Sequence, residues 1–385
     1  MRKKICFVTT IPSTIKSFLI DFASYLTQYQ DYDVTFICDY DDSMYEYTNA
    51  NTHYIPVRMR RGLKGLFLDY FRATFQMYRI FKRERYDIVQ YSTKNGGNYA
   101  PMAAWLAGIK CRLYCQWGMM FVAMHGLKRH LIKFDEKLIC RLSTIVEVES
   151  FSILEQGLKE GVYTRDKASV IWNGSACGVN LDGYDLTKRE LWRKEVREKY
   201  HIPTDAIVFG WCGRITRDKG HNELFAAFRE LNKSNKSARL LMVGSYDNVE
   251  TIDKDLFAWA QSCPEVIFTG FSKEAPKMYS AMDVFCSLSY REGFGLVVIE
   301  AAAMQLPGIV TDVPGQIDTH ANGITAISVP SKNVKSVVDA MRFYIDNPAQ
   351  RFNMGIEARK QVEEKYEQRE LFRQMAEHRN LLITK

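Results

Sequence analysis

The chain has 385 residues, 46% of them hydrophobic and 25% charged, with a formal net charge of +7. That length is long for one core and comfortable for two domains, and the composition argues against a disordered, fibrous or repetitive protein. Nine cysteines, an odd number without a C-x-x-C pair, argue against a disulfide framework and for a reduced, cytosolic setting.

The first element, MRKKICFVTTIP, has a basic lead, but its apolar run stops at Pro12 and Ser13. It is too short for a signal peptide or a membrane span and reads as a β-strand. Further strands are expected at DVTFICD, DIVQYST, CRLYCQ, TIVEVES and SVIWNGS, then at IVFGWCGR, RLLMVGS, VIFTGF, VFCSLS, GIVTDVPG and GITAISVP. Cys111 and Cys115 share one side of their strand and read as buried free thiols. Amphipathic stretches lie between the strands, such as HNELFAAFRELNK with Leu224, Phe225, Phe228 and Leu231 in helical register. Continuous apolar strands alternating with helices specify parallel sheets covered on both faces. Two sets of about six strands therefore make an α/β chain of two doubly wound domains, 1–180 and 181–365, with the small-residue stretch Asn173 to Tyr184 at the joint. The polar tail carries no further strand, and its last helix, about 366–385, is expected to pack back on the first domain.

The charge surplus is local. Residues 1–180 hold 24 Lys and Arg against 17 Asp and Glu, whereas residues 181–385 hold 28 of each. Residues 58–85 alone carry nine cations against Asp69 and Glu84.

In open α/β sheets ligands bind beyond the carboxyl ends of strands, so chemistry is sought at the strand-to-helix loops. Two stand out in the second half. In WCGRITRDKGHNELF, Gly213 ends a strand, Gly220 precedes a helix, and Arg214 and Lys219 lie between them. A helix N-terminus with a guanidinium fork and an ammonium suits a diphosphate, while solvated loop cations are the alternative. In REGFGLVVIEAAAMQLPG, Glu292 lies in a turn and Glu300 about two helical turns along. Eight steps of about 100° bring the two within roughly 80°, so both can overlook one cleft above the sheet. Gly293 and Gly295 let backbone amides approach a ligand closely. A helix-start charge and a surface ion pair are the structural alternatives for the two glutamates.

The order of GRITRDKG, LLMVGS, VIFTGFSKEAPKMYSAMDVFCSLSYREGFGLVVIEAAAMQLPGIV and the joint NGSACGVNLDGY resembles glycosyltransferase family 4, retaining nucleotide-sugar enzymes of GT-B fold. The resemblance is close over about residues 170–330. It implies two Rossmann-like domains facing across a cleft. It further implies that Arg214 and Lys219 bind the donor diphosphate and that Glu292 holds the transferred sugar. Gly213 and the backbone of Phe294, Gly295, Leu296 and Val297 would contact the donor, and Glu300 the ribose hydroxyls. On this reading each glutamate faces hydroxyls and needs no protein cation. No metal or other cofactor is implied, and Asp39-Tyr40-Asp41, which superficially resembles a metal-binding D-x-D, ends a strand in the wrong domain.

The first half matches less closely. YDIVQYSTKNGGNYAPMAAWLAGIKCRLYCQWG resembles the third and fourth strands of the acceptor-side domain, which makes Lys94 and Asn95 acceptor-side candidates. Where many members carry His-Gly, this chain has Trp117-Gly118; either Trp117 takes a stacking role or His125 substitutes, and a core Trp with a surface His is the plainer alternative.

In the basic segment, Leu63, Leu66, Phe67, Tyr70, Phe71, Phe75, Tyr78 and Phe81 recur as a helical stripe among cations. It reads either as a core-packing helix with a solvated basic face or as a surface for anionic lipid; no nucleic-acid motif is present. The expected function is transfer of a hexose or N-acetylhexosamine from a UDP-linked sugar to a lipid-linked glycan of capsule, O-antigen or exopolysaccharide. The enzyme would sit at the cytoplasmic face of the inner membrane. A silent nucleotide-sugar-binding subunit and a GT-B sugar-nucleotide epimerase are the rivals.

Overall fold

The computed structural model describes residues 2–60 and 62–384, the side chains of residues 62–68, Lys94 and Asn95 excepted. The chain divides into two units, Met1–Cys177 with Arg369–Lys385, and Gly178–Gln368.

The first unit is built on seven strands: β1 (Lys3–Val8), β2 (Tyr32–Cys38), β3 (Thr52–Pro56), β4 (Ile88–Ser92), β5 (Cys111–Gln116), β6 (Ile145–Val148) and β7 (Ala168–Val170). They form one parallel sheet in the order β3-β2-β1-β4-β5-β6-β7. The second unit has six: β8 (Val208–Cys212), β9 (Arg239–Val243), β10 (Val266–Gly270), β11 (Val284–Ser287), β12 (Gly308–Thr311) and β13 (Ala326–Val329). They too are parallel, in the order β10-β9-β8-β11-β12-β13. Both orders reverse at one point, between β1 and β4 and between β8 and β11, and that reversal opens a crevice at the strands' carboxyl ends.

Alternation along β1 shows why the strands read as unbroken apolar runs. Ile5 and Phe7 pack into one core cluster while Cys6 and Val8 pack into another on the opposite face. The strand absent from the sequence reading is β3. It is an edge strand, its His53 is exposed and it ends in Pro56, so it offers no continuous apolar run.

The helix Gly62–Glu84 departs from the single stripe read in the sequence. It buries Ala73, Met77, Ile80 and Phe81 and leaves Phe71 and Phe75 exposed. Leu63, Leu66, Phe67, Arg61 and Lys64 lie outside the described side chains. Among the described residues no helix is long and apolar enough to cross a membrane.

The last helix, Gln368–Thr384, belongs to the first unit. Leu371, Phe372, Met375 and Ala376 join the cluster on the Ile5 and Phe7 face. One turn on, the fully buried Arg379 grips Glu147 of β6 with both Nη atoms, Nη2 reaching Oε1 at 2.9 Å, and donates to Gln90 Oε1 at 3.0 Å. Burial pushes the Glu147 carboxyl up, but Arg379 and His378 pull harder and leave it at about 2. A carboxylate held that low contributes stability above its unfolded value, near 4.5, and loses it as pH falls toward about 2. Removing one partner of a buried pair strands the other charge. Arg379→Met is therefore expected to cost about 3–5 kcal/mol at neutral pH, and less below about pH 4.5, where the unfolded-state carboxyl is protonated and the wild-type pair progressively loses its contribution. Urea unfolding of both proteins at pH 7 and pH 3 checks this; an equal loss at both would contradict it.

Candidate functional site

Because β8 and β11 are neighbours, the loops that follow them meet at the switch point of the second unit. The loop after β8 runs from Gly213 through the short turn Arg217–Lys219 to the helix His221–Ser234. The loop after β11 runs from Leu288 to the helix Leu296–Ala303. Gly220 has φ +78°, and a Cβ there would lie 2.1 Å from the Leu288 carbonyl oxygen, so only glycine lets the two backbones touch. The Tyr290 amide donates to the Asp218 carbonyl at 2.9 Å, and the Tyr290 hydroxyl to Glu223 at 2.7 Å, stapling loop to loop.

This seam carries an ion pair. Lys219 Nζ lies 2.6 Å from Glu292 Oε1, to which Ser289 Oγ also donates at 2.8 Å. Both charged side chains are largely buried. Glu292 thus does have a protein cation, contrary to the expectation that sugar hydroxyls alone satisfy it. The angular argument does not apply either, since the helix begins at Leu296 and Glu292 lies in the bend before it.

A buried polar network fixes that bend from below. Thr311 Oγ1 lies 2.7 Å from the Ser289 carbonyl oxygen and 2.5 Å from Gln316 Oε1, its one proton shared between these two acceptors, while Gln316 Nε2 reaches Ser287 Oγ. His221 fixes the other loop: its Nδ1 lies 2.6 Å from the Thr216 carbonyl oxygen and its ring packs edge-on against Trp211. Burial lowers its pKa to about 4, so it stays neutral at pH 7.

Glu300 is held separately. It accepts from the buried Tyr279 hydroxyl at 3.0 Å. Burial pushes its carboxyl above the usual range and the Tyr279 bond draws it part of the way back. Cys212, at the end of β8, adjoins this pair, and burial pushes its thiol up to about 12. Arg214 points elsewhere, to an ion pair with Asp247 in the loop after β9. Its side chain is exposed, and a pair of that kind is worth little enough to exchange for another anion. Gly213 takes φ +140° where β8 ends. Gly295 caps the helix Leu296–Ala303, which no side chain caps. The first-turn backbone of Leu296 and Val297 therefore sits where helix amides favour an anion. Phe294 is buried against Tyr366, so only its backbone can serve a ligand.

In the first unit, Trp117 packs its ring 5.1 Å from that of Phe18, next to Gly118 at φ +98°. His125 stands exposed as the cap of the helix Gly126–Leu142, and the two are not brought into contact. The side chains of Lys94 and Asn95 lie outside the described residues. Asp41 caps a short turn and pairs with Lys16 at 3.0 Å, and the Tyr40 hydroxyl bonds Asp42. Among the described residues no three His, Cys, Asp or Glu side chains group to hold a metal ion.

Sequence reading passed over Ser289, Thr311, Gln316, Tyr279 and His221. Ser289, three residues before Glu292, and His221, two after Lys219, lie beside the singled-out residues in sequence; Thr311, Gln316 and Tyr279 reach the site from elements distant in sequence.

The chain matches two recorded families, "Glycosyl transferases group 1" over residues 193–361 and "Glycosyl transferase 4-like" over residues 4–150. It is 29% identical over 335 residues, 87% of this chain and 86% of the relative, to the capsular polysaccharide biosynthesis glycosyltransferase CapM of Staphylococcus aureus. It is 23% identical over 326 residues, 81% and 80% of the two chains, to a UDP-Gal:alpha-D-GlcNAc-diphosphoundecaprenol alpha-1,3-galactosyltransferase of Escherichia coli. Among solved structures, Anabaena HepE in complex with UDP superposes with a TM-score of 0.79 at 15% identity, over 98% of this chain and 99% of that one. Sucrose-phosphate synthase of Thermosynechococcus elongatus gives 0.81 at 19% identity, over 100% of both. At these identities the structural likeness speaks for the fold.

Tyr279 is expected to tune Glu300. Removing its hydroxyl in Tyr279→Phe deletes the one bond that lowers the carboxyl's pKa, so Glu300 should titrate still higher. Carbon-13 NMR titration of the Glu300 carboxyl measures this; an unchanged or lowered value would remove Tyr279 from the site.

Proposed function

We propose that this chain, a glycosyltransferase of GT-B fold, is a retaining hexosyltransferase of family 4 that takes its sugar from a UDP-linked donor. The acceptor in this reading is a growing lipid-linked glycan of capsule, O-antigen or exopolysaccharide. The observation that carries it is the Lys219–Glu292 pair at the switch point, beside a helix start capped by Gly295. The UDP and UDP-glucose complexes of HepE and the names of CapM and the galactosyltransferase support the donor and acceptor classes.

The chemistry follows from charge placement. The bond from the sugar's anomeric carbon to the diphosphate oxygen breaks, and its electron pair stays on that oxygen. Lys219, the helix amides and Arg214, once it leaves Asp247, stabilise the charge that builds there; preorganised electrostatics of this kind is often the largest catalytic contribution. The acceptor hydroxyl bonds the anomeric carbon on the face the diphosphate leaves, so the configuration is kept, and its proton passes to the departing phosphate. Glu292 orients the transferred sugar by its hydroxyls, with Lys219 and Ser289 fixing the carboxylate. Glu300 takes the ribose hydroxyls. The acceptor-side residues are those of the first unit, Trp117, Gly118 and His125, with Lys94 and Asn95. The basic segment 58–85 serves the membrane, where Phe71 and Phe75 stand exposed near Arg72 and Arg79.

Donor identity is tested by thermal shift with UDP-, GDP- and ADP-sugars, since a ligand that binds only the folded state raises its midpoint. In steady-state assays with the best donor, Glu292→Ala and Lys219→Ala should each lower kcat by about 10²–10³-fold. Glu300→Ala should mainly raise the donor KM, because ribose bonds are equal in ground and transition states. Wild-type kinetics for Glu292→Ala would sink the assignment.

No metal is required in this mechanism. Activity should survive EDTA largely intact; full loss restored by Mn²⁺ or Mg²⁺ would return attention to Asp39 and Asp41.

A further inference from the structure

The helix Gly126–Leu142 is amphipathic twice over. Its inner face, with Ile132, Ile139 and Cys140, joins the core of the first unit. Leu127, Leu131, Phe134 and Leu138 follow the i, i+4, i+7, i+11 spacing of a single stripe on the opposite side. They are 74%, 60%, 69% and 42% exposed. A helix on a core normally turns one apolar stripe inward and a polar face to water; a second stripe of four large apolar side chains marks a surface made to be covered.

Rotation cannot hide it. The buried Glu136 accepts from Tyr114 Oη at 2.8 Å and from Gln116 Nε2 at 2.6 Å, fixing the inner face. Arg129 and Lys133 hold Glu160 at 2.7 and 2.6 Å. The helix is locked with Leu131 and Phe134 outward.

The flanks say what covers it. Helical spacing sets Lys128 on one side of the stripe and His130, Lys137 and Arg141 on the other, all exposed. Among the described residues none of the three Lys and Arg is in an ion pair. The helix carries five Lys and Arg against two acids. Glu136 is buried, and Asp135 is half-buried near Tyr70, whose phenol is raised by burial and by that carboxylate. Tyr70 belongs to the helix Gly62–Glu84. An apolar stripe rimmed by cations fits the boundary of an anionic bilayer, with side chains among the acyl chains and cations at the phosphates.

We infer that the helix Gly126–Leu142 is a membrane-docking element whose occupant is an anionic lipid surface. The inference deepens the membrane partner in the reading above, with residues separate from segment 58–85 and from the donor site.

The test is co-sedimentation of the full chain with vesicles of phosphatidylcholine alone or mixed with phosphatidylglycerol. The wild type should bind the mixed vesicles and bind neutral ones weakly. Leu131→Ser with Phe134→Ser, both exposed positions, should lower that binding about tenfold or more. Serine at Lys128, Lys137 and Arg141 should cost roughly fivefold per cation and flatten the salt dependence. Phe352→Ser, an exposed apolar residue of the second unit, should change nothing; equal loss there would overturn the inference. So would undiminished binding by the Leu131 and Phe134 variant while Arg79, Lys82 and Arg83 variants lose it, which would leave docking to segment 58–85 alone. A wild type that ignores both vesicles and forms a dimer abolished in the Leu131 and Phe134 variant would overturn it in favour of self-association. Thermal shift by UDP, run on every variant, reports the donor site independently, so failure of the donor reading and failure of docking are distinguishable.

Discussion

An ammonium and a carboxylate 2.6 Å apart, Lys219 and Glu292, tie together two loops although the residues stand 73 positions apart in the chain. They meet because β8 and β11 are neighbours in a parallel sheet whose order reverses between them. Parallel strands force each connection over a face of the sheet, so loops that meet at a reversal come from remote parts of the sequence. Gly220 against Leu288, Tyr290 against Asp218 and Glu223, and the buried Thr311 and Gln316 all hold this one seam. A largely buried charge pair is costly unless its geometry is fixed, and these contacts fix it.

The pair also bears on catalysis. A carboxylate anchored on one side by Lys219 and Ser289 keeps its remaining acceptor capacity for sugar hydroxyls, since each of its oxygens accepts more than one bond. The ammonium, in turn, is already stripped of much of its water before any phosphate arrives. That is preorganisation: the electrostatic work is done during folding rather than at the moment of reaction.

How much of this was legible in the sequence depended on range. The strands Lys3–Val8 or Val208–Cys212 announce themselves because burial on both faces leaves only apolar residues to choose from. Edge strand β3 did not, since one of its edges has no partner strand and His53 breaks the run. Lys219 and Glu292 in their loops and Glu300 within the helix that follows were visible as residue types, but their partners were not. Nothing near Tyr279 in sequence says that its hydroxyl meets Glu300, and nothing near Gln316 says that it supports the turn before Glu292. Arg214 was placed by resemblance beside a phosphate, and the structure has it on Asp247, because an exposed guanidinium settles on the nearest carboxylate.

The helix stripes show the same limit from the other side. Apolar periodicity reports that a face is apolar, not what covers it. In Gly62–Glu84 the period blended two faces, one buried through Met77 and Phe81 and one exposed through Phe71 and Phe75. In Gly126–Leu142 the second apolar face emerges only once Glu136 is seen buried, because that carboxylate decides which way the helix is turned. The first unit concentrates the chain's surplus of cations and these exposed apolar faces, whereas the second unit, near charge balance, carries the seam built around Lys219 and Glu292. A surface that attracts lipid by charge and holds it by apolar contact uses two forces with different reach. Charge acts over about a Debye length, near 8 Å at physiological salt, and apolar burial only at contact. Putting both on one helix face lets the first orient the chain before the second holds it.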